Sequence, residues 1–340
     1  MSVVEAAQNA QQQKKERAGG PRFWWYLLRR VGQGGIVILI VTLIVFALLH
    51  LAMPQGPAAG ILGMQASQEQ IDAFNKENGF DLPLWQQYFH FLGQLVQGDL
   101  GDSFKLNRPV ADAIGQRLPK TLILALISML FALIIAIPMG IFQAVRRGKA
   151  ADYALTTWNF IVYSTPSFFL GLILVIVFAQ WLRLVPAQAP QGETVGDVLA
   201  NPAGLVLPVL TAALGIIATF SRYMRSATID NLSEDYVRTA RAKGTSVPVV
   251  ITRHVVRNSL TPVIAMLGYY LPVMFGGMIV VESLFNYPGM GLLFWTSAQT
   301  SDYPVLIGCI LVIALATVIG SLLADIIQAL LDPRTREELS

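Results

Sequence analysis

Six long apolar segments alternate with polar segments along this chain. The apolar segments cover residues 35–52, 121–145, 154–182, 205–220, 263–281 and 305–330. A helix needs about 20 apolar residues to cross the hydrocarbon core of a membrane, where backbone hydrogen bonds must be satisfied within the protein. The pattern therefore predicts an all-α, polytopic membrane protein with six transmembrane helices, called spans one to six below.

The polar segments differ in length and character. Residues 1–34 form a polar tail that ends in an aromatic and basic stretch, Phe23 to Arg30, which is typical of an anchor at the lipid headgroups. Residues 53–120 are long enough for a small subdomain between spans one and two. Within it, apolar residues at helical spacing predict an amphipathic helix packed on the membrane-facing side; they are Leu84, Tyr88, Phe91 and Leu95.

Lys and Arg residues are distributed unequally between the two ends of the spans. With the N-terminus in the cytoplasm, 18 of the 24 basic residues fall on the cytoplasmic side. Most of the others lie in residues 53–120, and the charges of a long loop have the least influence on orientation. The sequence therefore predicts that both termini are cytoplasmic and that residues 53–120 form an extracytoplasmic subdomain.

The segment between spans four and five, residues 222–262, is the longest polar interruption on the cytoplasmic side. Ser233 is a candidate N-cap, Glu234 and Asp235 place carboxylates in a first turn, and Gly244 is a candidate end. These signals predict a short helix of roughly 15 Å, which is too short to be stable alone and must dock against something.

No group in the sequence would supply energy for transport. Gly148-Lys149-Ala150 lacks the upstream glycine and the hydroxyl residue of a phosphate-binding loop. Ion-coupled carriers need ionisable groups near the membrane midplane, but Asp325 lies near a helix end and Glu282 at an outer boundary. One cysteine, Cys309, and three widely spaced histidines predict no metal site. If the chain moves a solute, a partner must supply the energy.

Several strings resemble one family of membrane proteins. They are DYVRTARAKG (235–244), RHVVRNSLTP (253–262), DLPLWQQYFHFL (81–92), GDLGDSF (98–104), STPSFFLG (164–171), ESLFNYPGMG (282–291) and LDPRTR (331–336). They are similar to the permease subunits of ATP-binding-cassette importers, in the oligopeptide, dipeptide and nickel branch. The resemblance covers most of residues 23–336. In place of the Glu-Ala-Ala opening of the broad importer motif, this chain has Arg238-Thr239-Ala240.

The resemblance implies an assembly and a location. Two homologous permease subunits, expected as a heterodimer, enclose one pathway in the cell inner membrane. Two ATPase subunits lie below them and an extracytoplasmic substrate-binding protein lies above. ATP and magnesium belong to the ATPases, so this chain binds no cofactor, metal or nucleic acid and is not an enzyme. Its residues 121–340 form the permease core of the type I importer fold.

The resemblance also assigns roles to particular residues. The predicted cytoplasmic helix becomes the helix that couples to the ATPase, through Glu234, Asp235, Tyr236, Arg238, Thr239, Ala240, Arg241, Ala242, Lys243 and Gly244. The loop after span five becomes an external gate or docking surface, through Glu282, Phe285, Asn286, Tyr287, Pro288, Gly289 and Gly291. Pro166 becomes a kink that lines the pathway.

Alternative interpretations stay open for each of these features. The basic cytoplasmic segment also suits an amphipathic helix on lipid headgroups. The chain would then be a stand-alone channel or facilitator. The loop after span five is also compatible with a plain turn held by Pro288 and two glycines, and Pro166 with an ordinary packing irregularity.

Overall fold

The computed structural model describes residues 21–52, 62, 67–77 and 79–331. Almost all of the regular structure in these residues is helical. The helices are α1 (Pro21–Ala52), α2 (Gln68–Glu77), α3 (Leu84–Val96), α4 (Val110–Val145), α5 (Ala150–Ser164), α6 (Ser167–Leu174, continued by a π-helix, Val175–Trp181), α7 (Val195–Leu199), α8 (Val206–Leu232), α9 (Asp235–Ala242), α10 (Val247–Val250, continued by a π-helix, Ile251–Val255), α11 (Val256–Phe285), α12 (Met290–Thr300) and α13 (Tyr303–Leu331).

The number of membrane crossings agrees with the predicted pattern if bent helices are counted once. Four helical segments are long and apolar enough to span a membrane alone, and they lie in α1, α4, α8 and α13. Two further segments are bent pairs. One combines α5 with α6 and is bent by 108°, and the other runs from α10 through α11 and is bent by 68°. The helical membrane class is therefore confirmed, with up to six crossings among the described residues.

Helices α4 and α8 form the centre of the bundle. In α8, 67% of the most apolar window is buried within this chain, against 11% in α1. The two central helices approach closely at Gly140, where a Cβ atom would lie only 2.5 Å from the carbonyl oxygen of Ser221. Glycine is therefore required at this crossing, and α8 is held on several sides by its neighbours while α1 lies at the periphery.

The start of α1 and the end of α13 lie at the same end of the bundle. Arg30, near the start of α1, forms an ion pair of 3.1 Å with Asp325, near the end of α13. At mid-helix, Gly34 packs so closely on Val318 that an added Cβ would lie 2.6 Å from its Cγ1 atom. Helices α1 and α13 are therefore antiparallel neighbours, as expected if both termini are on one side of the membrane.

The helices run beyond the limits of the predicted spans. Helix α4 begins at Val110 rather than at residue 121, and α8 continues to Leu232 rather than ending at residue 220. A helix does not need to stop where the apolar pattern stops, because its hydrogen bonds are internal and continue through polar residues. Arg222 and Arg225 consequently lie inside α8 and not in a loop.

The predicted amphipathic helix of the subdomain is present as α3, and it packs on α1. The Tyr88 hydroxyl lies 3.0 Å from Oγ1 of Thr42, and Nε2 of His50 lies 3.0 Å from Oε1 of Gln87. The ring of Phe46 also packs edge-on against Tyr88. Polar residues inside span one are thus satisfied by the subdomain, which explains why α1 tolerates them.

Candidate functional site

The short helix predicted in the cytoplasmic segment is α9, and both of its ends are specified locally. Glu234 occupies the N-cap position, and Asp235 lies in the first turn, where its charge suits the helix dipole. At the other end Gly244 has a φ angle of +79°. Gly244 N–H donates to Arg241 O, and Thr245 N–H donates to Ala240 O, which is the pattern of a Schellman C-cap. The expected N-cap, Ser233, instead donates its hydroxyl to Asp230 O and closes α8.

One face of α9 is anchored to its own chain. Val237 is 1% exposed and packs with Val250 and Val255 of the following segment. Tyr236 is half-buried, and its hydroxyl donates to Oδ1 of Asn231 at 2.7 Å. These contacts provide the docking that so short a helix requires. Tyr236 is therefore committed to this chain, although it shares the predicted coupling segment.

The opposite face of α9 is free within this chain. It presents basic and small side chains. Of the ten predicted coupling residues, Tyr236 and Ala240 are partly buried. The other eight are exposed: Glu234, Asp235, Arg238, Thr239, Arg241, Ala242, Lys243 and Gly244. The single ion pair on this face, Arg238 with Asp235 at 3.3 Å, is highly exposed and contributes little to stability. The face combines cationic donors with room for close backbone approach.

Helix α9 follows closely after α8 at the centre of the bundle. Only Ser233 and Glu234 separate it from α8. Helix α8 is in turn held to α11 by the Ser259 hydroxyl, which donates to Ala227 O at 3.2 Å. Helix α9 is therefore connected to two of the long apolar helices, α8 and α11.

A buried ion pair fixes the same end of α8 to α5. Arg225 donates from Nε and Nη2 to the two carboxylate oxygens of Asp152, each at 2.8 Å. Asp152 is 2% exposed and also accepts the N–H of Gly148 at 3.0 Å. Sequence reasoning missed this pair. The available signal was that Asp152 lies just before span three and Arg225 just after span four, so that both are expected at the same membrane face.

At the far end of the bundle, the loop after α11 is built around Glu282. Its side chain is fully buried and accepts the N–H groups of Gly291 at 2.6 Å and Leu292 at 3.2 Å. These belong to the first turn of α12, whose N–H groups have no partner inside the helix. The Thr121 hydroxyl donates to Glu282 at 2.7 Å and accepts the N–H of Met290. Helices α4 and α11 thus cap α12 together.

The predicted gate or docking residues are mostly enclosed by this loop. Of the seven, only Asn286 is exposed; it adopts the left-handed conformation with φ of 52°. The Tyr287 hydroxyl donates to Lys120 O at 2.7 Å, and burial raises the pKa of its phenol, so it remains a donor. Gly289 leaves no room for a Cβ atom, which would collide with the carboxylate of Glu282.

Pro166 coincides with a real break between α5 and α6. Thr165 and Pro166 have extended backbone conformations, and the two helices diverge by 108°. Proline cannot donate a helical hydrogen bond and disfavours helix at the residue before it, which accounts for the break. Pro166 itself is exposed on the surface of this chain.

Two family models match the chain and together cover most of it. Residues 136–337 match the model of the binding-protein-dependent transport system inner membrane component. Residues 23–125 match the model of the N-terminal region of membrane components of such systems. The first match contains α8, α9 and the Glu282 loop.

Named relatives are similar over nearly their whole length. The oligopeptide transport system permease protein AppB of Bacillus subtilis is 38% identical over 86% of this chain and 93% of its own. The putative peptide permease protein BOV_A0351 of Brucella ovis is 37% identical over 87% and 94%. The glutathione transport system permease protein GsiC of Escherichia coli O6:H1 is 38% identical over 87% and 94%. The chain therefore belongs to the family of inner membrane components of binding-protein-dependent transport systems.

Proposed function

We propose that this chain is the permease subunit of an ATP-driven importer and forms half of a pathway for peptides or similar small solutes. Its membership of the inner membrane component family supports the class of transporter. The similarity to relatives named for oligopeptides and glutathione supports the class of solute.

The observation that carries the proposal is the two-sided character of α9. Val237 anchors one side of the helix, while Arg238, Arg241 and Lys243 are exposed on the other. The face suits a groove lined by acidic groups and carbonyl oxygens, to which arginine forms charge-assisted hydrogen bonds.

In this proposal the chain transmits work and catalyses no reaction. Two ATPase subunits bind ATP and magnesium and receive α9. A second homologous permease completes the pathway in the inner membrane, and an extracytoplasmic protein delivers the solute. Both chain termini and α9 face the cytoplasm. The exposed part of the loop after α11, at Asn286, contributes to the surface that meets the delivery protein, while the buried residues around Glu282 hold that surface in place.

A pair of glycines provides a sharp test of coupling. Gly244 and Gly148 have φ angles of +79° and +76°, and no atom lies within 4 Å of the position of an added Cβ at either one. Gly244→Trp and Gly148→Trp therefore impose the same kind of backbone strain and find the same free space in this chain. In the reconstituted transporter, we expect only Gly244→Trp to abolish uptake per ATP hydrolysed.

The control is measured in the same reconstituted transporter, and the alternative function is tested with this chain alone. Gly148→Trp should keep uptake within about twofold of the unchanged protein, because surface substitutions usually change stability by no more than about 0.5 kcal/mol beyond the strain. Equal uptake by both variants would contradict the coupling role of α9. Solute movement by this chain alone, with no ATPase present, would identify a facilitator instead.

A further inference from the structure

Two apolar stripes run along helix α3. The stripe predicted from the sequence consists of Leu84, Tyr88, Phe91 and Leu95. A second stripe consists of Trp85, Phe89 and Val96, and helical geometry rotates it from the first by about 110°. The other side of α3 carries glutamine, histidine and glycine, and the helix contains no Asp, Glu, Lys or Arg. Helix α3 is therefore amphipathic without being charged.

Helix α1 covers the first stripe and leaves the second one open. The centroid of the Phe46 ring lies 5.3 Å from that of Tyr88 and 6.0 Å from that of Phe91. Trp85, Phe89 and Val96 are instead 62%, 65% and 89% exposed. Adjoining apolar side chains that a chain leaves exposed mark a contact with a partner or with a membrane. The second stripe is called the exposed stripe below.

The contacts of α3 with α1 place α3 at the membrane. The Tyr88 hydroxyl lies 3.0 Å from Oγ1 of Thr42 and 3.4 Å from the carbonyl oxygen of Leu39. The segment of α1 that is long and apolar enough to cross a membrane is Leu28–Leu48, and residues 31–52 contain no Asp, Glu, Lys or Arg. Whether the hydrocarbon core ends at residue 48 or at residue 52, Thr42 lies roughly 9 to 15 Å inside it. Tyr88 therefore reaches into the hydrocarbon core.

The neighbouring surface of α1 indicates that lipid surrounds the exposed stripe. Only 11% of the most apolar window of α1 is buried, and Leu39, Leu43 and Leu48 are each about half exposed. Tyr88 contacts Leu39 and directly precedes Phe89, so the exposed stripe adjoins this apolar surface. Tryptophan and tyrosine are enriched where acyl chains meet headgroups, and an amphipathic helix buries its apolar face at that level.

We propose that α3 is an interfacial helix whose exposed stripe inserts between the acyl chains of the leaflet at the C-terminal end of α1. Trp85 and Phe89 lie among the acyl chains, while Gln94, on the other side of the helix, faces water. The attachment rests on apolar burial and not on anionic headgroups, because α3 has no Lys or Arg. In the orientation proposed above, α3 holds residues 53–120 against the outer leaflet. This attachment does not depend on what the chain transports.

Spin labels on the two sides of α3 can identify what surrounds each side. Phe89→Cys and Val96→Cys each place a nitroxide on the exposed stripe. Gln94→Cys is the matched control, because Gln94 is also exposed but lies on the polar side of the same helix. The only cysteine of the chain, Cys309, is buried, so each variant has one reactive thiol. The label is studied in the complete transporter in proteoliposomes, with partner subunits free of reactive cysteine.

The measurement is the relaxation of each nitroxide by oxygen, which concentrates among acyl chains, and by a water-soluble nickel chelate. We expect oxygen to relax the labels of Phe89→Cys and Val96→Cys, with almost complete loss of relaxation by the chelate. The order of the two reagents should be reversed at Gln94→Cys. High salt should leave these ratios unchanged, because α3 has no Lys or Arg whose attraction to headgroups could be screened.

Three results would overturn the lipid attachment. Relaxation of the stripe labels by the nickel chelate would place them in water, and relaxation by neither reagent would show that another protein covers the stripe. Ratios that change with salt would show an electrostatic attachment. Val96→Cys changes the side chain little, so a failure of Phe89→Cys to assemble leaves the test decisive. ATP-driven uptake is measured separately, and its absence would count against the proposed function without affecting the attachment of α3.

Discussion

At the scale of single residues, the Glu282 side chain shows how one carboxylate can organise a loop. It has no exposed surface, and its oxygens receive two N–H groups of α12 and the hydroxyl of Thr121. A buried acidic residue is costly unless its hydrogen-bonding capacity is used, and here it is used by the otherwise unpaired N–H groups of a helix start. Glu282 therefore contributes to the shape of the loop in which Asn286 is exposed.

Replacing Glu282 should reveal how much this cap contributes to stability. Glu282→Ala leaves the N–H groups of Gly291 and Leu292 buried without an acceptor, and we expect a loss of about 3 kcal/mol in the free energy of unfolding. Glu282→Gln keeps one acceptor oxygen and should cost less than half as much. Thermal unfolding of the purified complex measures both. Unchanged thermal stability in Glu282→Ala would show that the cap contributes nothing.

At the scale of helices, the ion pair of Asp152 with Arg225 holds α5 against α8, near the end of α8 from which α9 continues. We expect Asp152→Asn to lower the free energy of unfolding by about 2 kcal/mol, since one partner of a mostly buried, bidentate pair becomes uncompensated. Asp235→Asn is the matched control, because the Asp235 pair with Arg238 is exposed and should contribute less than about 0.5 kcal/mol. Equal effects of the two substitutions on thermal unfolding would contradict this ranking.

The sequence predicts which helices exist better than it predicts where they end or what they touch. Hydrophobic periodicity located α3 and the apolar centres of α4 and α8, because burial in lipid or protein imposes that pattern directly. It could not show that α8 continues to Leu232, since polar residues extend a helix without any apolar signal. The contacts of Glu282 with Thr121 and of Arg225 with Asp152 join distant positions in the chain, and no local pattern encodes them.

At the scale of the whole molecule, the two ends of the bundle have different constructions. One end carries α9 on the continuation of α8, together with the ion pairs Arg225–Asp152 and Arg30–Asp325. The other end is closed by the cap on α12 and by Asp302, which accepts the hydroxyl of Ser103 and the N–H of Phe104. The two ends therefore offer different surfaces: one presents an exposed cationic helix, α9, and the other a tightly hydrogen-bonded loop.

The orientation of these two ends in the membrane can be tested with single cysteines. Thr239 on α9 and Gln299 on α12 are both exposed, and the only cysteine of the chain, Cys309, is fully buried. An impermeant maleimide should label Gln299→Cys in right-side-out vesicles and Thr239→Cys in inside-out vesicles, with no labelling of the unchanged chain in either. The distribution of basic residues favours this orientation. Labelling of Thr239→Cys from the outer face would place α9 where no ATP is available, and the coupling mechanism would then be impossible for this chain.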